Sequence, residues 1–325
     1  MRRRDAIMFL GSAAFAWPIP SIAQKRPVRI GFLGTGAAET SAIFVEALKE
    51  GLRENGLIEG RDYEFEFGWA EGNYERFPSF AARMVQSNVS VILATTIVAV
   101  RAAQRATNAI PIVMTSINDP VGTGLVKSLA RPGGNTTGLA SLAEDVSTKL
   151  VELLRETIPR ATNIAVLLNP ANPSNPAMLT KIATLLANSR IKTQPIEVRS
   201  RAEFDLALSV LDRRRPDALL ILPDFMLIDA RETISTLALR YRMPAITNVP
   251  EYTDAGALIS FGAPRRANYR RSAHYVKRIL DGANPADLPI EQPTRIELSI
   301  NLKTAKALGI PIPAAMLARA DTVIE

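Results

Sequence analysis

The chain has 325 residues, 47% of them hydrophobic and 22% charged, with a formal net charge of +7, one histidine and no cysteine. That length holds two domains of ordinary size, and that composition excludes disorder over most of the chain. Without cysteine there is no disulfide framework, no acylated N-terminal cysteine and no thiol chemistry.

The first residues read as a leader. Arg2, Arg3 and Arg4 form a basic start, residues 6–17 are apolar but too few to span a bilayer, and Ser21-Ile22-Ala23 is a small-x-small cleavage signal. Cleavage is predicted after Ala23, by the Sec or the twin-arginine route, leaving a free periplasmic protein. It removes three arginines and one aspartate and lowers the net charge from +7 to +5.

The rest of the chain alternates strands and helices. Residues 28–33 form a first strand ending in Gly34-Thr35-Gly36, and residues 41–55 a helix closed by Gly56. A strand over 63–69 and a helix over 73–87 follow. Residues 91–94 are continuously apolar, as a parallel strand covered on both faces should be, and end at Thr95-Thr96 before a helix over 97–107. Residues 112–114 repeat the pattern and end at Thr115-Ser116; residues 138–140 are a short strand or a first crossing. A second series then runs through helices at 146–158, 178–189, 203–213 and 228–241 and strands at 163–168, 193–198, 218–222, 245–247 and 258–261. A helix over 267–280, a Pro-rich stretch over 284–293 and a strand-like run over 295–301 complete the pattern. Two successive alternating series imply an α/β fold of two doubly wound lobes with parallel sheets.

Several runs resemble a known family. They are Asn118-Asp119-Pro120-Val121-Gly122-Thr123-Gly124, Arg131-Pro132-Gly133-Gly134-Asn135-Thr136-Thr137-Gly138, Asp287-Leu288-Pro289-Ile290-Glu291-Gln292-Pro293 and Asn301-Leu302-Lys303-Thr304-Ala305. Together with residues 50–56, 59–61 and 218–223 they resemble the ABC-transporter substrate-binding family with the type I periplasmic-binding-protein fold, whose best-known relatives bind tryptophan or tyrosine. The resemblance implies a hinge of three crossings near Ser141, Gly262 and Pro289. Lobe 1 would hold residues 28–141 and 262–288, and lobe 2 residues 142–261 and 289–325. It also implies a monomer without cofactor that binds a small solute and delivers it to ABC permease subunits driven by a cytoplasmic ATPase. The loop after residue 168 is expected to touch the ligand, as it does in the family.

Ligands of open α/β sheets bind beyond the carboxyl ends of the strands. Here those ends carry Thr35 and Gly36, Thr95 and Thr96, Ser116 with Asn118, Asn169, Asn172 and Asn175, Asp224 with Phe225, and Asn248. Taken singly each Ser, Thr, Asn or Asp is explained as a helix cap or turn residue. Recurrence at strand after strand is what indicates a ligand site. The hydroxyls and nearby backbone N–H groups suit the polar or anionic end of a solute, the asparagines and Asp224 engage it from the other side, and Phe225 or Phe261 could stack on a ring. Asp224 suits an ammonium, so Asp224→Ala is expected to weaken binding of an ammonium-bearing solute at least about tenfold.

Catalysis and metal binding find little support. His274 is the only histidine, there is no G-x-S-x-G run, and Gly34-Thr35-Gly36 lacks the third glycine of a dinucleotide fingerprint. The runs Arg213-Arg214-Arg215, Arg265-Arg266 and Arg270-Arg271 read as solvated helix ends, or as a docking face for an acidic membrane partner. No nucleic-acid recognition motif is present. The readings left are a transport receptor or, alternatively, a periplasmic sensor presenting its closed form to a membrane kinase or chemoreceptor, with an enzyme a distant third.

Overall fold

The computed structural model describes residues 26–325; the leader and its cleavage site after Ala23 lie outside them. The first lobe is built by β1 (Val28–Gly34), α1 (Ala38–Glu54), β2 (Tyr63–Trp69), α2 (Phe77–Gln86), β3 (Val91–Ala94), α3 (Ile97–Ala106), β4 (Ile112–Asn118) and β5 (Thr136–Ser141). Its sheet is parallel throughout, in the order β2-β1-β3-β4-β5. Ile30, Leu33, Ile92, Leu93, Val113 and Met114 are completely buried between the helical layers, which is why their strands show no polar alternation.

β4 runs four residues beyond Met114, where the apolar run ends. Its pairing with β5 shifts between Met114 and Ile117, so Thr115 and Ser116 form an irregularity. Such bulges bend a strand and re-aim its side chains, and here Ser116 is turned toward the gap between the lobes.

The second lobe contains α4 (Ala143–Thr157), β6 (Asn163–Leu168), α5 (Asn175–Asn188), β7 (Lys192–Glu197), α6 (Phe204–Arg214), β8 (Ala218–Ile221), α7 (Phe225–Asp229), α8 (Arg231–Arg240), β9 (Ala245–Thr247), α9 (Glu251–Asp254) and β10 (Ile259–Gly262). The single helix expected over 228–241 is two. Asp224 starts α7 earlier by accepting from the N–H groups of Met226 and Leu227, and Ala230, at φ −95° and ψ 12°, separates it from α8. Pro195 interrupts no pairing on a free side because β7 is an edge strand.

The chain then returns to the first lobe as α10 (Arg265–Leu280), whose closest partner is α1. Gly51 allows that approach: a Cβ there would stand 2.2 Å from the Arg270 carbonyl oxygen. Phe44 and Tyr269 stack at 5.1 Å in the same interface. Glu291 still belongs here, its N–H donating to Gly138 O and its carbonyl accepting from Ala140 N. Glu291 lies two residues past Pro289, near which the third crossing is expected.

The last segment adds β11 (Glu297–Asn301), α11 (Leu302–Leu308), α12 (Ala314–Leu317) and β12 (Thr322–Ile324) to the second lobe. Its sheet has the order β12-β11-β10-β9-β8-β6-β7 and is parallel as expected except that β11 runs antiparallel to β10. The reason is connectivity. β10 leads toward the hinge, whereas the chain re-enters at β11 directly from the hinge, so the two must run in opposite senses. Asn301 fastens this addition: it caps α11 by accepting from Thr304 N at 2.9 Å and donates to Thr253 O at 3.0 Å. Asn301→Ala is expected to lower the unfolding free energy by about 1–2 kcal/mol. A urea titration checks this, and an unchanged midpoint would contradict it.

Candidate functional site

The strand ends of both lobes converge on a cavity of about 50 Å³. The first lobe lines it with Thr95, Thr96, Ile97, Ser116, Ile117, Asn118 and Ser141, the second with Asn172, Ser174, Pro223, Asp224 and Phe225, and α10 contributes Arg265. A second cavity of about 40 Å³ shares Ser116, Ser141, Pro223 and Arg265 and reaches Asn248. Such small volumes, about those of one or two waters, accompany lobes already in contact. Tyr74 Oη donates to Asp224 Oδ2 across the cleft at 2.6 Å, and Asn169 Nδ2 lies 3.4 Å from the same hydroxyl.

The expected residues divide into four groups. Thr95, Thr96, Ser116, Asn118, Asn172, Asp224 and Phe225 line the main cavity, and Asn248 lines the second. Thr95 also donates to Leu33 O at 3.1 Å, and Thr96 caps α3 by accepting from Ala99 N, so cap and cavity roles coincide. Thr35 and Gly36 do not line the cavity. Thr35 meets Thr95 Oγ1 at 3.4 Å, and Gly36 lies against the opposite lobe, where an added Cβ would be 1.8 Å from Asp229 Oδ2. Asn169 and Asn175 are buried in their own loop, Asn169 donating to Asp224 Oδ1 and Asn175 to Asn169 O. Phe261 packs in the second lobe's core.

Asp224 differs most from expectation. Oδ1 accepts from Met226 N at 2.9 Å, Leu227 N at 3.4 Å and Asn169 Nδ2 at 3.3 Å; Oδ2 accepts from Tyr74 and from Asn172 Nδ2 at 3.2 Å. Five protein donors leave no lone pair for a ligand ammonium. Burial pushes this carboxyl above its ordinary value, and the donors from Tyr74, Asn169, Asn172 and Leu227 oppose the rise. Burial, followed by the Asp224 charge, likewise drives Tyr74 well above the usual phenol value, so its hydroxyl stays a donor.

Arg265 is the residue that sequence reasoning missed. Placed by sequence in a solvated basic run, it is only 9% exposed, with its guanidinium carbon 4.1 Å above the Phe225 ring. It opens α10 just past β10, so the strand-end rule applied to that strand would have found it. Asn268, one turn further, donates to Ser116 Oγ at 3.0 Å. Tyr74, in a short 3₁₀ turn, carried no comparable signal. Among the described residues no group of His, Cys, Asp and Glu is arranged to hold a metal, and no helix is long and apolar enough to cross a membrane.

Residues 39–324 match the family described as ABC transporter substrate binding protein. The tyrosine-binding protein of Clostridioides difficile (strain R20291) is 26% identical over 260 residues, 80% of this chain and 74% of its own. A solved conserved domain protein from Vibrio cholerae O1 biovar El Tor superposes with TM-score 0.84 at 29% identity, over 92% of this chain and 100% of the other. The ABC domain from Streptococcus pneumoniae in complex with L-Trp gives TM-score 0.82 at 22% identity with the same coverage, 92% and 100%. With two mostly parallel lobes, a shared cleft and a match over nearly its whole described length, this chain belongs to the ABC transporter substrate-binding protein family and has the type I periplasmic-binding-protein fold.

Proposed function

We propose that the protein is exported to the periplasm, captures a small polar solute between its lobes and hands it to the membrane permease of an ABC uptake system, whose cytoplasmic ATPase drives transport. In this reading it acts as a monomer and leaves the solute covalently unchanged. The observation that carries the reading is a single cavity to which one lobe supplies Thr95, Thr96, Ser116 and Asn118 and the other Asn172 and Phe225. Family membership supports the transport role, and relatives named for tyrosine or solved with L-Trp favour a solute bearing a carboxylate, aromatic amino acids included. Lobe limits of 26–141 with 263–291, and 142–262 with 292–325, are proposed from the sheet each segment joins. Only contacts made in the closed form and lost in the open one can drive closure; in this reading the Tyr74–Asp224 bond across the cleft is one of them.

A metabolite screen by thermal shift tests this reading. A solute at one hundred times its Kd stabilises the native state by about 2.7 kcal/mol, so one chemical class is expected to raise the melting temperature by several degrees. A broad panel in which nothing raises it would remove the proposal.

A further inference from the structure

Arg265 is buried, yet its Nε and Nη2 have no hydrogen-bond partner among the described residues. Those two groups form one edge of the guanidinium, the edge that accepts a carboxylate through two parallel N–H···O bonds. The same helix uses that edge twice more. Arg271 holds Glu291 with Nε at 2.8 Å and Nη2 at 2.7 Å, and Arg270 holds Glu54 through the same pair of nitrogens. Both of those arginines are exposed and have that edge filled, whereas Arg265, in the cleft, is buried and has Nε and Nη2 open. Glu251 is buried close enough to act on Arg265 electrostatically, but its Oε2 also lacks a partner, so the two side chains have not satisfied each other through these atoms.

The rest of the cavity is rich in donors. Asn118 Nδ2 is buried there without a partner, and Ser116, which accepts from Asn268, keeps its own hydroxyl proton to give. Acceptors are scarce. Among the described residues Asp224 is the only acidic one on the cavity wall, and its oxygens already take five donors; Asn172 Oδ1 takes the N–H and hydroxyl of Ser174. An ammonium on this wall would lie near the Arg265 charge, a cost paired groups do not carry. The buried side-chain acceptors still without a partner, Asn248 Oδ1 in the adjoining cavity and Glu251 Oε2 among them, are not part of the main cavity's lining.

We infer that the cleft takes a small organic carboxylate without an ammonium group, and that Arg265 is the residue receiving its carboxylate, stacked on Phe225 so that its open edge faces the solute. This rests on the reading of the cleft as a solute site, and it narrows the solute to a class distinct from free amino acids.

The test is calorimetric titration of the wild-type protein with matched sets: monocarboxylates from acetate to 3-phenylpropionate and 3-(4-hydroxyphenyl)propionate, the corresponding α-amino acids including L-phenylalanine and L-tyrosine, the primary amides, and a set of sugars. At least one carboxylate is expected to bind at least about tenfold more tightly than its amino acid and its amide. Arg265→Gln is expected to weaken that carboxylate about thirtyfold or more while changing its amide less than about threefold, and Arg265→Lys to lose about tenfold because the two-pronged edge is gone. An amino acid that binds as tightly as its deaminated partner, a sugar that binds in place of every carboxylate, or an Arg265→Gln protein that keeps wild-type affinity would each overturn the inference and leave the transport reading standing. Binding by nothing in any set would overturn both. The wild-type comparison needs no variant to fold.

Discussion

Asp224→Ala is expected to lower the unfolding free energy by about 3 kcal/mol. The change removes the cap of α7, which alone is worth about 1 kcal/mol. It also strands three side chains that now donate to the carboxylate, Tyr74, Asn169 and Asn172. Buried donors left without an acceptor cost about 1–3 kcal/mol each before relaxation, and water entering from the adjacent cavity recovers part of that. Because burial raises the folded-state pKa of Asp224 above its unfolded value, the folded protein takes up this proton first as pH falls. The contribution of Asp224 to stability therefore grows as pH is lowered from neutral through the raised value, and the deficit of the alanine variant should widen over the same range. Urea titrations at several pH values measure this. A loss below about 1 kcal/mol would show that the hydrogen bonds around Asp224 do not organise the cleft, and a deficit that shrinks on acidification would show that those donors outweigh burial at this carboxyl.

Gly36→Val is expected to act on closure and to spare folding. Gly36 does not occupy the left-handed region, so a side chain is compatible with its own backbone; the obstacle is in the other lobe. Even a Cβ would overlap the Asp229 carboxylate, and valine adds two methyl groups to that contact. Overpacking of this kind costs about 1–3 kcal/mol. Placed on the closed form alone, a cost of about 2 kcal/mol lowers the closed fraction and weakens apparent solute affinity about thirtyfold. The melting temperature of the free protein should move by no more than a few degrees. Unchanged affinity would mean that solute is held without the lobes meeting at Gly36 and Asp229.

Much of the architecture is legible in residue order, because buried strands such as Val91–Ala94 and Ala218–Ile221 are apolar without interruption and their ends are marked by polar residues. Strand direction is not written in such patterns. β11 has the same alternation whichever way it runs, and only the hinge crossing before it makes it antiparallel. β12, three exposed or half-buried residues at a sheet edge, offers no periodicity to detect. In the site, Thr95, Thr96 and Ser116 follow from strand ends alone. The asparagine-rich loop after β6 misleads, since of its three asparagines only Asn172 reaches the cavity while Asn169 and Asn175 tie the loop to Asp224 and to itself. A side chain's competing partners are tertiary facts, and the same holds for Arg265, whose neighbours in sequence suggest solvent and whose neighbours in space are Phe225 and the cleft.

In the proposed function one small molecule is gripped between the lobes by residues of both. A crystal structure of the protein with the tightest-binding solute of the calorimetric panel tests it most directly. Electron density for the solute between Ser116, Asn118 and Arg265 on one side and Asn172 and Phe225 on the other is the expected result. Density on an outer surface of either lobe, with the cleft residues in their present contacts, would contradict it.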